Sequence, residues 1–365
     1  MSASPLRVQA RSLLVAAVLT LSMSACDASP PARNPTDDKP TEKKVVTISE
    51  DPAWTARTSG ERFCPKYTGS AVIDAGNSDV TMRNANTGKI KWTHKVGDIA
   101  CPLVTKEAVY VASDHGWITA LDLDSGKEKG AMDTDGISVS MAPVETTSGI
   151  HIENTGDIVT VDKSLERKIW QHEEDLDLWA DRVGSSGTTV VLLTRNGKAK
   201  ALSSETGKLV WTYVTPTHAR TSGDLTIADG IVYFGSHDGS MYAVNLATGQ
   251  KAWTTKLEQG SLSTPRLIGN MLITSQGDYI HALDRKTGRE QWKHLTAGTV
   301  MMQTAAGQVF YSDRENGNVT SLDVSTGERI ATLSPVPGAS WLAASPTHLY
   351  VWTKTEIRAY KFITK

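Results

Sequence analysis

Four segments of the chain share one pattern, and that pattern decides the fold: 82-MRNANTGKIKW-92, 201-ALSSETGKLVW-211, 243-AVNLATGQKAW-253 and 282-ALDRKTGREQW-292. Residues 120–130 and 321–331 repeat the pattern without the tryptophan, and residues 159–170 repeat it without the glycine. The turn glycines Gly207, Gly249, Gly288 and Gly327 follow one another at intervals of 42, 39 and 39 residues. The chain is therefore built from an internal repeat.

Each repeat carries the signals of four strands. A β-rich run such as 231-IVYFG-235 leads into a tight polar turn, 237-HDG-239, and a third strand then reaches the Thr-Gly turn. The turn glycine supplies the positive φ of a tight hairpin, and the tryptophan on the fourth strand packs against the neighbouring repeat. A period near 40 residues with four antiparallel strands predicts the blade of an all-β propeller.

Counting strands gives the number of blades. Fourth strands end seven of the repeats, yet eight groups of first-to-third strands occur, the last at residues 341–362. The segment 53-AWTAR-57 is similar to 252-AWTTK-256, so we expect this N-terminal strand to complete the last blade and close an eight-bladed ring over residues 45–365. Seven blades, with the copy at 151–170 left out, is the alternative. The predicted repeat core consists of Trp54, Trp92, Trp170, Trp211, Trp253 and Trp292.

The N-terminus has the layout of an export signal. Arg7 and Arg11 precede an apolar run that is too short for a comfortable membrane span. Ser24-Ala25-Cys26 resembles the lipobox of bacterial lipoproteins, which implies a signal peptide at 1–25 and a lipidated Cys26. An ordinary signal peptide with Cys26 as a bystander is the alternative. Residues 26–44 are rich in proline and charge, so they predict a disordered tether.

Composition and motifs exclude several classes of function. The chain has 365 residues with a formal net charge of −2, which argues against a nucleic-acid binder. Its nine histidines show no paired ligand spacing, and no phosphate-binding glycine loop or nucleophile elbow occurs. The sequence therefore predicts no metal, no cofactor and no catalytic residue, in a protein expected to be a monomer.

Two cysteines occupy the same position in successive repeats. Cys64-Pro65 and Cys101-Pro102 correspond to Ala142-Pro143 and Thr264-Pro265, and equivalent positions on adjacent blades lie side by side. Outside the cytoplasm such thiols are oxidised when their Cα atoms fall in range, so we expect a Cys64–Cys101 disulfide. Two free thiols or a metal pair are the alternatives.

One connection between blades is distinctive: Glu173, Glu174, Asp175, Leu176, Asp177, Leu178 and Trp179. Its acidic residues interleave with apolar ones, on the face where propellers commonly bind ligands. An aromatic anchor with a polar rim is typical of interface hot spots, which makes this loop a candidate partner-binding site. A solvated loop whose apolar residues pack against the blades is the alternative.

The AxDxxTGxxxW signature over residues 53–363 resembles the PQQ-like repeats of quinoprotein dehydrogenases. The chain lacks their adjacent cysteine pair, and no calcium-ligand set is assignable. Its length, lipobox, tether and eight blades resemble instead the lipoproteins of the outer-membrane assembly factor family BamB. That resemblance implies a non-catalytic interaction scaffold in the cell envelope, anchored by lipid to the outer face of the cytoplasmic membrane or facing the periplasm, with envelope proteins as partners and a possible role in membrane-protein assembly. A quinone or small-molecule-binding enzyme and an extracytoplasmic ligand sensor are the alternatives.

Overall fold

The computed structural model describes residues 46–58, 64–76, 78–97, 100–113, 115–135, 142–154, 157–172, 180–296, 298, 300–313, 317–333, 336 and 338–364. These residues form strands and no helix, so they contain no helix long and apolar enough to cross a membrane. The predicted signal peptide, Cys26 and the predicted tether lie outside the described residues.

The strands are numbered in chain order. The first half contains β1 (Val46–Ile48), β2 (Trp54–Arg57), β3 (Lys66–Tyr67), β4 (Ala71–Ala75), β5 (Asp79–Asn84), β6 (Ile90–Lys95), β7 (Leu103–Val104), β8 (Ala108–Ala112), β9 (Trp117–Asp122), β10 (Glu128–Asp133), β11 (Val144–Glu145), β12 (Ile150–Asn154), β13 (Asp157–Val161), β14 (Lys168–His172), β15 (Ala180–Ser186), β16 (Thr189–Thr194), β17 (Lys198–Ser203) and β18 (Leu209–Val214). The second half contains β19 (Thr221–Ala228), β20 (Ile231–Ser236), β21 (Ser240–Asn245), β22 (Lys251–Lys256), β23 (Arg266–Ile268), β24 (Met271–Gln276), β25 (Tyr279–Asp284), β26 (Glu290–Leu295), β27 (Val300–Ala305), β28 (Gln308–Asp313), β29 (Val319–Asp323), β30 (Arg329–Leu333), β31 (Trp341–Ala344), β32 (His348–Trp352) and β33 (Glu356–Thr364).

These strands form eight antiparallel sheets, which confirms the eight-bladed propeller. Seven blades take four consecutive strands each, from β3–β6 (blade 1) to β27–β30 (blade 7). The seven-blade alternative is wrong, because the copy at 151–170 forms β12–β14 of a complete blade 3.

Blade 8 is closed by the N-terminal segment, as the sequence predicts. Strand β2 pairs antiparallel with β33, so that Trp54 lies opposite Ala359. The short strand β1, which the repeat pattern does not predict, pairs with the end of β33 from Phe362 to Thr364. The Phe362 ring of β33 stacks on Phe310 of blade 7 at 5.3 Å between centroids, and the side-chain amide of Gln308 in blade 7 donates a hydrogen bond to the Val46 carbonyl of β1. Both β33 and the closing segment therefore contact the neighbouring blade.

A tryptophan and a glycine join most pairs of neighbouring blades. The indole of Trp253 in blade 5 lies against Gly288 of blade 6, where an added Cβ would fall 2.5 Å from Trp253 Cε3. Trp253 Nε1 also donates a hydrogen bond to the Arg285 carbonyl at 3.0 Å. The same two contacts recur at Trp54–Gly88, Trp92–Gly126, Trp170–Gly207, Trp211–Gly249 and Trp292–Gly327.

The core lies between blades, since several apolar clusters draw residues from two neighbouring sheets. One cluster joins Tyr110 and Ile118 of blade 2 to Ile150 and Val159 of blade 3. Four of the repeat tryptophans are buried, whereas Trp170 and Trp292 are half-buried. All six make the contacts expected of a repeat core.

Candidate functional site: the central channel

A cavity of about 1200 Å³ is lined by residues of all eight blades. The innermost strand of each blade contributes one side chain or more, which places the cavity on the axis of the ring. Cavity-lining residues, one from each blade in order, are Lys66, Leu103, Val144, Arg182, Asp224, Arg266, Gln303 and Trp341. The lining is therefore asymmetric, with an apolar part contributed by blades 2, 3 and 8 and a polar part contributed mainly by blades 4–7.

A β-bulge positions Asp224 on the polar side. The pairing of β19 with β20 shifts register between Ser222 and Thr226. Gly223 makes this possible, because it has a φ of +65° and because an added Cβ would lie 2.5 Å from the backbone nitrogen of Thr264. The Asp224 backbone N–H donates to Thr264 Oγ1 at 2.9 Å, which fixes the bulge to blade 6.

Both carboxylates that line the channel already have cationic partners. Asp224 Oδ1 lies 2.7 Å from Arg182 Nε. Glu145 Oε1 accepts a hydrogen bond from Lys163 Nζ at 2.5 Å. Arg182 and Lys163 thus already balance the negative charge of the lining.

Three channel cations, Lys66, Lys106 and Arg266, have no such match. Arg266 Nη1 donates to the amide oxygen of Gln303 at 3.3 Å, and within the described part of the chain none of the three forms an ion pair. Burial lowers the pKa of Lys66, an effect that Asp224 opposes and Arg266 reinforces. Burial also lowers the pKa of Arg266, again opposed by Asp224. Lys66 is nevertheless exposed and Arg266 half-buried, so both side chains remain accessible from the channel.

The predicted disulfide lies in the wall of the channel. Cys64 and Cys101 are bonded, with their Cα atoms 5.3 Å apart, directly before the first strands of blades 1 and 2. Both cysteines line the cavity. The bond therefore joins two neighbouring blades at their inner edges.

Two other predicted sites fall on segments that the structure does not describe. The loop Glu173–Trp179 lies outside the described residues, as does Cys26. Among the residues that the structure does describe, no group of histidine, cysteine and carboxylate side chains is arranged to hold a metal ion.

Apart from Cys64 and Cys101, sequence reasoning missed the channel residues. Their position in the repeat could have revealed them. Lys66 and Arg266 each follow the proline that marks the first strand of a repeat, in Cys64-Pro65-Lys66 and Thr264-Pro265-Arg266. Aligning these positions over the repeats indicates which residues share the axis.

Comparison with known proteins supports the same architecture. The family model described as outer membrane protein assembly factor BamB matches residues 154–294 and 263–333. BamB from Yersinia pestis is 27% identical over 234 residues, a match that spans 55% of this chain and only 59% of that relative's length.

Solved structures show the fold. The crystal structure of BamB from Moraxella catarrhalis superimposes with a TM-score of 0.70 at 18% identity, covering 87% of this chain and all of that one. Quinohemoprotein alcohol dehydrogenase from Comamonas testosteroni gives 0.67 at 12% identity, covering 87% of this chain and 76% of the other. The chain is a PQQ-like β-propeller that resembles the outer membrane protein assembly factor BamB.

Proposed function

We propose that this protein is a non-catalytic interaction scaffold of the cell envelope that takes part in assembling membrane proteins. The observation that carries the proposal is its likeness to BamB, an outer membrane protein assembly factor, over the propeller repeats. A closed ring suits this role, because it is rigid and its connecting loops offer one broad surface. The partners are other envelope proteins, and the propeller itself works as a monomer.

The N-terminal segment holds this scaffold at a membrane. In our proposal residues 1–25 direct export, Cys26 carries the lipid, and residues 26–44 act as the tether. Two or more acyl chains give stable anchoring, since each buried methylene contributes about 0.8 kcal/mol. Mass spectrometry of the native N-terminal peptide tests this directly: an acylated Cys26 is expected, and an unmodified Cys26 in the mature chain would exclude the anchor.

The partner-binding site in this proposal is the loop Glu173–Trp179, whose leucines and tryptophan are the anchors and whose carboxylates form a polar rim. The test is a crosslinked pull-down of the full chain from its own membranes. The test variant replaces Leu176, Leu178 and Trp179 with serine. The matched control replaces Leu209 and Val210 with serine, because these are 46% and 56% exposed on the outer strand β18.

The expected result is one envelope protein, recovered in stoichiometric amounts with the wild type and the control, and lost with the loop variant. Equal recovery with the loop variant would move the binding site elsewhere on the ring. If no partner is recovered, the scaffold is contradicted, and a chromophore visible in the purified full chain would then favour a quinone enzyme.

A further inference from the structure

The channel carries an excess of positive charge that the rest of the chain does not share. Its lining holds four cationic side chains, Lys66, Lys106, Arg182 and Arg266, against the two carboxylates Glu145 and Asp224. This leaves a formal charge of +2 in the channel, whereas the whole chain carries −2. A cleft that concentrates one sign of charge between low-dielectric walls attracts ligands of the opposite sign.

Internal pairing does not remove this excess. Arg182 neutralises Asp224 at 2.7 Å, and Glu145 is neutralised by Lys163, which does not line the channel. Lys66, Lys106 and Arg266 remain, and within the described residues the only hydrogen bond from Arg266 to a side chain goes to the neutral amide of Gln303. Lys66 and Lys106 are exposed and Arg266 is half-buried, so all three cations are accessible to an anion in the channel.

The opposite part of the wall is apolar. Leu103 and Val144 are half-buried there, and Trp341 remains 38% exposed towards solvent. The cavity volume of about 1200 Å³ exceeds that of a bare oxyanion several-fold. Pockets for small molecules commonly measure about 300–1000 Å³ and combine apolar walls with a few polar groups.

We propose that the central channel binds a small organic anion, whose carboxylate or phosphate group contacts Lys66 and Arg266 and whose apolar body lies against Leu103, Val144 and Trp341. Gln303 orients the guanidinium of Arg266 towards this group. This proposal uses no residue of the partner-binding loop and does not depend on the scaffold role. It requires no chemical step, because binding only places the negative charge of the ligand against these two cations.

The test uses isothermal titration calorimetry and thermal unfolding of the full chain at constant ionic strength. The probes are hexanoate and hexyl phosphate, with inorganic phosphate to test the head group alone and hexanol to test the apolar body alone. The variants are Lys66→Met and Arg266→Met, which remove a charge but keep most of the apolar stem. Lys208→Met is the matched control, because Lys208 is exposed and does not line the channel.

At least one of the two hexyl anions is expected to bind at least tenfold more tightly than hexanol, and the stronger of them distinguishes a carboxylate from a phosphate ligand. Either channel variant is expected to weaken that binding at least tenfold, while the control leaves it unchanged. Without ligand, Lys66→Met is expected to melt no lower than the wild type, because it removes an unmatched charge; a purely structural lysine would give a lower melting temperature. Absence of binding by both anions, or equal binding by the channel variants and the wild type, would overturn the proposal.

Discussion

Neighbouring blades pack together along a surface that we call a seam. The seam between blades 5 and 6 is packed differently from the seam between blades 2 and 3. In the first, the Trp253 indole covers Gly288, whose φ is +73°. In the second, Gly130 stands in place of the tryptophan, and an added Cβ there would lie 2.7 Å from the Ser164 carbonyl oxygen. Leu165, buried and with a φ of +61°, follows Ser164 in the facing turn. Tryptophan and turn glycine thus form one packing unit that is lost as a pair.

The largest expected effect comes from removing the indole at the regular seam. Trp253→Ala deletes a buried side chain that touches Gly288 and bonds to Arg285, so we expect a loss of about 3–5 kcal/mol in the free energy of unfolding. Chemical denaturation of the full chain measures it. Trp117→Ala is the control, because Trp117 is 48% exposed. Equal stability of the two variants would show that the indole is not what joins the blades.

The second prediction concerns the glycine of the same seam. Gly288→Ala places a Cβ 2.5 Å from Trp253 and keeps a left-handed backbone, so we expect a loss of about 2–4 kcal/mol from strain and overpacking together. Gly269→Ala is the control, since Gly269 has a φ of +56° but open space around its Cβ position, and about 1 kcal/mol is expected there. In a Trp253→Ala background the cost of Gly288→Ala should fall to about the 1 kcal/mol expected at Gly269, because only the backbone strain remains. An undiminished cost would show that contact with the indole is not what requires this glycine.

The third prediction uses pH to test blade 3, the irregular member of the second seam. His151 is buried between Thr146 and Thr160, and burial lowers its pKa to about 3. The folded state therefore favours the neutral form of His151. The stabilisation that this form contributes is fully present above the ordinary histidine pKa of about 6.5, and it is lost as the pH falls from there towards 3. Stability should fall by about 1.4 kcal/mol per pH unit in this range, or about 2 kcal/mol at pH 5.

Denaturation of the wild type and of His151→Gln between pH 7.5 and 5 measures this effect. Burial also lowers the pKa of His294 and of His348, so the difference between the two proteins isolates His151. Parallel curves for the two proteins would contradict the assignment.

The smallest expected effect comes from introducing the tryptophan and glycine pair into the seam between blades 2 and 3. Gly130→Trp alone meets Ser164, and Leu165→Gly alone leaves a cavity, so each should destabilise the ring. Combined, the two changes should cost about 1 kcal/mol less than their sum, as measured by a double-mutant cycle. Strict additivity would show that position 165 does not determine whether a tryptophan fits at position 130.

The regular seams were predictable because each depends on a short local pattern repeated through the chain. The blade number and the closing role of Trp54–Arg57 follow from counting that pattern. Strand β1 was not predictable, because its three residues have no counterpart in any repeat. The channel chemistry was missed because Lys66 and Arg266 come together only when blades 1 and 6 face a common axis. Asp224 further depends on the bulge at Gly223, which interrupts the pairing of β19 with β20.

The closure of blade 8 has a consequence for the order in which the protein is made. Trp54 and its partner Ala359 are 305 positions apart in the chain. During synthesis the first strands emerge long before β33, so β2 waits without its partner while seven blades are completed. The edges of blades 1 and 7 stay open for that whole interval, and unpaired strand edges invite wrong partners. The ring closes, and these edges are covered, only after β33 has left the ribosome.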